Sequence, residues 1–216
     1  MIRISDGRYI QSIFGTPVAV DIFRATSNIV SMFISGIEEV IPISTLEEGL
    51  KYKEMGYLTF GEMDTEKIKE FDYGNSPTET LELNLNGKKA VILTSNGTKL
   101  IRNLGDGTVI ASFLNLNAVA KSLRNKEVHI FLAHSKEGVQ TEDTEFAYAL
   151  TKKILDPSAD ITIHIERSRN GNGAVRLRNK GLEKDIETCL KVDLTENIPI
   201  YRQGKIVNIN STYHLL

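Results

Sequence analysis

With 216 residues, 41% of them hydrophobic and 25% charged, the chain can bury a sizeable core, which excludes wholesale disorder and a disulfide-stapled miniprotein. Its 26 basic and 28 acidic residues leave a formal charge of -2, without the electrostatic footprint of a general nucleic-acid binder. One cysteine, Cys189, excludes an internal disulfide, a thiolate zinc cluster and a CxxC motif and reads as intracellular, while the absence of an apolar run of about 20 residues argues against a membrane span.

The N-terminal stretch 1–11 carries Arg3, Asp6 and Arg8 among its apolar residues and does not read as a secretory signal. From residue 16 strands and helices alternate. Pro17-Val-Ala-Val20 ends at Asp21, and 25–34 then places apolar residues at helical spacing. Val40-Ile-Pro-Ile43 predicts the next strand, put at a sheet edge by Pro42. Ser44-Thr-Leu-Glu47 predicts a capping box opening a helix to about Met55. A third strand, 57–60, leads into the polar stretch 61–74, longer than most αβ connections and so a candidate for function. Further strands are predicted at 89–93, 108–111 and 128–132, the last before a helix over 142–154. Beyond Asp156 the alternation of Ile161-Thr-Ile-His-Ile165 predicts a strand, 174–191 a helical stretch broken near Gly181, and 198–201 with 205–209 a hairpin around Gln203-Gly204. The whole predicts a three-layer α/β/α fold with a largely parallel or mixed central sheet and a C-terminal helical/hairpin extension, one domain over 1–216 whose only subdivision would fall near 156–173. Loops after parallel strands gather at the carboxyl edge, where open α/β sheets place ligands.

Five polar motifs follow such strands. Asp21 precedes Arg24 and Thr26; a carboxylate there suits a metal, and Arg24 with the amides of the next helix suits an oxyanion, the plain alternative being an Asp21–Arg24 ion pair beside an ordinary cap. In Phe71-Asp-Tyr-Gly-Asn-Ser-Pro77, Ser76 caps, Pro77 suits the first helical position, and Glu79 completes a capping box; Asp72 and Asn75 are left over as candidates for chemistry. Ser95-Asn-Gly-Thr98 offers a tight turn with free amides. Glu142 and Asp143 open a helix, either as acids complementing its dipole or as a metal ligand. Glu62, placed just past a strand with Asp64 nearby, invites the metal argument again. Hard cations such as Mg2+ take such oxygens and leave room for phosphate and water. The histidines His129, His134, His164 and His214 lack HExxH-like spacing, and only His134 falls on the expected edge. There is no P-loop, no complete GxGxxG after a strand and no GxSxG.

Taken in order, Val20-Asp21-Ile-Phe-Arg24-Ala-Thr26, Gly61-Glu62, the 71–77 motif, Thr94-Ser-Asn-Gly-Thr98, Ser112-Phe-Leu-Asn115, Glu142-Asp143 and the tail Gly181-Leu-Glu-Lys-Asp185-Ile resemble the 2-phosphosulfolactate phosphatase family over roughly residues 16–209. The resemblance implies an α/β fold and Mg2+-dependent hydrolysis of (R)-2-phospho-3-sulfolactate, a step toward coenzyme M in methanogens. Carried onto this chain, it implies a metal held by Asp21 and Glu62, with Asp72 or Asp143 as a further ligand or general base. Arg24, Thr26, Asn75, Ser76, Asn96, Gly97, Thr98 and Asn115 would bind the anionic substrate. Two departures stand out: Met63-Asp64-Thr65 replaces the usual Arg and glycine-rich turn, and Leu132-Ala-His-Ser-Lys136 replaces a small turn, with Lys136 a candidate for the lost positive charge. A phosphatase for another phospho-acid and a non-catalytic anion-binding protein are the alternatives. The expected partner is a small phosphorylated acid, with neither nucleic acid nor membrane; the expected location is the cytoplasm, and a homodimer is allowed.

Overall fold

The computed structural model describes residues 1–135 and 138–209. Its central sheet contains a parallel run formed by β1 (Ile2–Asp6), β8 (Val128–Leu132), β2 (Thr16–Val20) and β7 (Thr108–Ala111). A second parallel run comprises β3 (Glu39–Pro42), β6 (Lys89–Leu93) and β4 (Leu58–Met63), with β5 (Glu66–Lys67) antiparallel at its edge. Between them lies the hairpin of β11 (Pro199–Arg202) and β12 (Lys205–Asn208), antiparallel to β7 on one side and to β3 on the other. A separate short ribbon pairs β9 (His134–Ser135) with β10 (Gly138–Val139).

The buried strands read as almost unbroken apolar runs, as expected of a sheet covered on both faces. Helices α5 (Leu116–Leu123) and α6 (Thr141–Leu155) pack on one face of the first run, together with α8 (Asn172–Arg178) and α9 (Glu183–Cys189). Helix α2 (Leu46–Glu54) covers the outer face of the second run. Helices α1 (Ala25–Ile34) and α4 (Gly97–Leu104) share a core with residues of both runs, including Ala19, Ile110, Val40 and Ile92. The three antiparallel pairings through the hairpin leave the two parallel runs pointing in opposite directions, yet residues at the carboxyl ends of both, Asp21 after β2 and Glu62 in β4 among them, line one cavity.

Several boundaries differ from the sequence expectation. Strand β1 has no counterpart in it, although Ile2-Arg-Ile-Ser5 alternates apolar and polar residues as a half-buried strand does. Pro42 is not on an edge strand. Ile43 N–H donates to Ile92 of β6, so position 42 faces the β12 side, where pairing ends at Val40 and no ladder donor is required. The cap of α2 is Thr45, whose side chain accepts from Glu48 N–H, one residue later than predicted; Ser44 N–H instead donates to the Glu48 carboxylate. Residues 161–165 are not a strand: Asp160 accepts from both the amide and hydroxyl of Thr162, starting α7 (Thr162–Arg169), and His164 of that helix bonds Glu145 of α6 at 2.6 Å. The break near Gly181 falls where φ is +72°, between α8 and α9. The terminal hairpin is inside the sheet, not appended to it. Among the described residues, no helix is long and apolar enough to cross a membrane.

Candidate active site

Strand β2 delivers Asp21 to the carboxyl edge, and the turn that follows locks it there. Asp21 N–H donates to Thr26 Oγ1 at 3.1 Å, the Thr26 hydroxyl donates back to Asp21 O at 2.9 Å, and Ala25 N–H reaches Asp21 Oδ1 at 3.4 Å. The intervening Phe23–Arg24 peptide is cis. Helix α4 begins against the same carboxylate: a Cβ at Gly97 would come within 2.7 Å of Asp21 Oδ2, so glycine permits the approach. From α6, Asp143 Oδ1 accepts Ile22 N–H at 2.7 Å, and Glu142 lies beside it, both acids almost fully buried.

Glu62 lies within β4 rather than beyond a strand, since β4 extends to Met63. Its Oε1 accepts Ser95 N–H at 2.9 Å and its Oε2 accepts Thr65 N–H at 2.5 Å. Asp64 and Thr65 have φ of 51° and 73° between paired Met63 and Glu66, the signs of a type I′ turn that favours Asn and Gly. A β-branched residue is unusual there. Glu62 holds the Thr65 amide and Arg24 Nη2 donates to the Thr65 carbonyl at 3.1 Å, so the turn is tied into the site at both ends of one residue.

These groups line a cavity of about 380 Å³. Asp21, Glu142 and Asp143 are raised mainly by burial and then by neighbouring acids. Asp21, though part of its surface opens to the cavity, rises to about 6, through burial and then Glu62, against the pull of Ala25 N–H, Arg176 and Arg24. Glu142 rises to about 7, through burial and repulsion from Asp21, opposed by Arg176. Asp143 is held well above the ordinary carboxylate range by burial, Glu142 and Asp21. Glu142 Oε2 is buried without a hydrogen-bond partner.

Among the described residues, no three of His, Cys, Asp or Glu stand together as a finished metal cage. The donor set nonetheless fits a hard divalent cation of the Mg2+ type, which takes one or two carboxylates and completes its shell with phosphate and water. Mutually repelling buried acids and the unpartnered Glu142 oxygen leave charge for such an ion to neutralise. Among the described residues no histidine takes part: His129 sits between Ser5 and the Phe14 amide, His164 pairs with Glu145, and His134 is 3.2 Å from Asp6.

Of the residues singled out in the sequence, Asp21, Arg24, Glu62, Asn75, Asn96 and Asp143 line this one cavity, together with Glu142. Asn75 accepts from the Asn28 amide at 2.9 Å; the Asn96 amide nitrogen faces the Ser95 and His134 carbonyls. Six others do not line it, five of them held by structural hydrogen bonds. Thr26 closes the turn after β2, and Thr98 exchanges hydrogen bonds with Thr94. Gly97 makes room for Asp21 without lining the cavity. Asp72 accepts from Thr59 N–H and Oγ1 and pairs with Lys53 at 2.6 Å, and although burial opposes it, these partners lower its pKa. Ser76 caps α3 (Pro77–Leu81) and donates to Asp185 at 2.6 Å. Asn115 is fully buried, in a capping box with Ser112 and donating to the Ile110 and Asn197 carbonyls. Lys136 and His214 lie outside the described residues.

Ser95, of the predicted 95–98 turn, also lines the cavity, whereas sequence reading missed Gln140, Arg176 and Lys180 in its wall and Asp185 behind it. Asp185 Oδ2 receives Arg24 Nη1 at 2.6 Å, with both side chains almost wholly buried, while its other oxygen receives Ser76 and Thr78 N–H. Asp185 lay within the quoted tail motif, but nothing local to the tail names an arginine 161 positions earlier as its partner.

A family model described as 2-phosphosulpholactate phosphatase matches residues 5–204. The chain is 35% identical over 207 residues to a probable 2-phosphosulfolactate phosphatase of Thermotoga petrophila, covering 89% of this chain and 91% of that protein. It is 32% identical over 211 residues to a probable 2-phosphosulfolactate phosphatase of Thermoplasma acidophilum, with 96% and 95% covered. It is likewise 32% identical over 209 residues to the 2-phosphosulfolactate phosphatase of Methanothermobacter thermautotrophicus, with 89% of each chain covered.

Proposed function

Because the chain belongs to the 2-phosphosulfolactate phosphatase family, we propose that it hydrolyses (R)-2-phospho-3-sulfolactate to 3-sulfolactate and phosphate in a Mg2+-dependent reaction at the carboxylate cavity. The observation that carries the site assignment is the cluster of Asp21, Glu142 and Asp143 at the carboxyl edge, the last two almost fully buried and all three raised by burial and nearby acids. Asp21 and Asp143 would hold the ion, with Glu62 nearby to orient its water. When bound, Mg2+ supplies charge neutralisation for the phosphate dianion. In the overall reaction the ester P–O bond breaks, a new P–O bond forms to the oxygen of water, and a proton reaches the released hydroxyl. Glu142, with its pKa near 7, is suited to taking a proton from the attacking water. Asn75, Ser95 and Asn96 line the space where the anion would sit.

Phosphate release by the purified chain tests this reading, using 2-phospho-3-sulfolactate beside 2-phospholactate, which lacks the sulfonate. Turnover with Mg2+, preferring the sulfonated ester and vanishing in excess chelator, is expected. Equal rates on both esters would remove the sulfonate from the assignment. No turnover of any phosphomonoester with any divalent ion would overturn the enzyme reading in favour of an anion-binding protein.

A further inference from the structure

Two arginines line the cavity, and their circumstances differ. Arg24 is already engaged: Asp185 neutralises it at 2.6 Å and the Thr65 carbonyl takes a second donor. Arg176 makes no hydrogen bond or ion pair with any described residue, and its Nε is buried without a partner. Its charge is nevertheless felt by Asp21, Glu142 and Asp143, so it lies close to all three acids without closing on any of them.

The backbone explains this position. A Cβ at Gly173 would collide with the Glu142 carboxylate, so the start of α8 is pressed directly against the acid cluster. Three residues on, Arg176 shares that helix face, while Ala174 and Leu177 turn into the core. Helix α8 therefore carries to the rim of the acids a guanidinium with no hydrogen-bonded partner among the described residues, with five donors in a planar fork suited to phosphate.

We infer that Arg176, and not Arg24, is the side chain that receives the phosphoryl oxygens of the substrate, and that Arg24 with Asp185 serves to hold the 62–65 turn in place. This assignment rests on the phosphatase reading of the cavity, but its test does not depend on turnover. Arg176 is a substrate-binding residue here, engaged in the ground state and in the transition state alike.

Binding of inorganic phosphate to wild type, Arg176→Gln and Arg176→Lys, measured by calorimetry in Mg2+, gives the direct test, with thermal midpoints to show that each variant folds. The expected result is a loss of at least tenfold in phosphate affinity for Arg176→Gln, partly restored in Arg176→Lys. Equal affinity in wild type and a folded Arg176→Gln, or no phosphate binding by wild type, would overturn the inference. Kinetics with 2-phospho-3-sulfolactate and 2-phospholactate then separate the two anionic ends. Loss of kcat/KM on both esters supports phosphoryl binding, whereas a loss confined to the sulfonated ester would overturn it and assign Arg176 to the sulfonate. Absence of turnover in wild type with phosphate binding intact and Arg176-dependent would sink the enzymatic reading and leave the anion site standing.

Discussion

Asp21 and Arg24, three positions apart, belong to different electrostatic units. Arg24 is satisfied by Asp185, so Asp21 is a largely desolvated carboxylate at the cavity wall, repelled by Glu62, drawn weakly by Arg176, and with no salt-bridge partner of its own among the described residues. That arrangement gives opposite signs to two conservative substitutions. Asp21→Asn strands no cation; it removes a charge whose burial is unfavourable without a bound ion, so in chelator at pH 8 the denaturant midpoint should hold or rise. Turnover at saturating Mg2+ should nevertheless fall on the order of a hundredfold or more. A normal rate in this variant would remove Asp21 from the mechanism. Asp185→Asn leaves Arg24 buried and uncompensated and should lower stability by about 3–5 kcal/mol, read from the same denaturant curves. From the sequence, Asp21 was recognisable as a polar residue ending an apolar strand, but its choice between metal and Arg24 was open. The deciding residue is contributed by a distant helix that only the folded chain brings near.

Alternating strands and helices were readable wherever an apolar run stood between polar turns, as in 16–20, 89–93 and 128–132. The reading fails where tertiary partners outweigh local pattern. Residues 161–165 alternate like a strand, yet the Asp160 turn and the His164–Glu145 bond make them helical. Asn115 shows the same limit at a site motif. Its place after β7 resembled a ligand-binding loop, but its side chain joins the start of α5 to Asn197, at the entry to the β11–β12 hairpin. Asn115→Ala should therefore lower unfolding free energy by about 1–3 kcal/mol through lost buried hydrogen bonds. KM for the phosphate ester should stay within experimental error; a large rise in KM at unchanged stability would return Asn115 to the binding site.

Across the whole molecule, the hairpin between β7 and β3 joins two parallel runs whose carboxyl ends line a single cavity, and no sequence pattern announces that union. Its consequence is a concentration of acids from β2, β4 and α6 at one point, in a chain whose overall charge is nearly balanced. This makes stability depend on pH in a definite direction. Asp21 and Glu142 have folded pKa values of about 6 and about 7, above those of an unfolded chain, so between pH 4 and 7 the folded state binds more protons. The stabilisation linked to these protons is complete below about pH 4 and is lost as pH rises through 6 and 7. A cation bound by the ionised acids replaces those protons, and at a hundredfold excess over its Kd should raise the midpoint by about 5–10 °C. The most direct measurement is therefore the thermal midpoint between pH 5 and 8, in chelator and in Mg2+. The predicted result is a midpoint that falls with rising pH in chelator and is restored by Mg2+ at pH 8; a midpoint that is level or rising with pH in chelator and indifferent to Mg2+ would contradict the assignment of the carboxylate cavity as a metal-dependent phosphatase site.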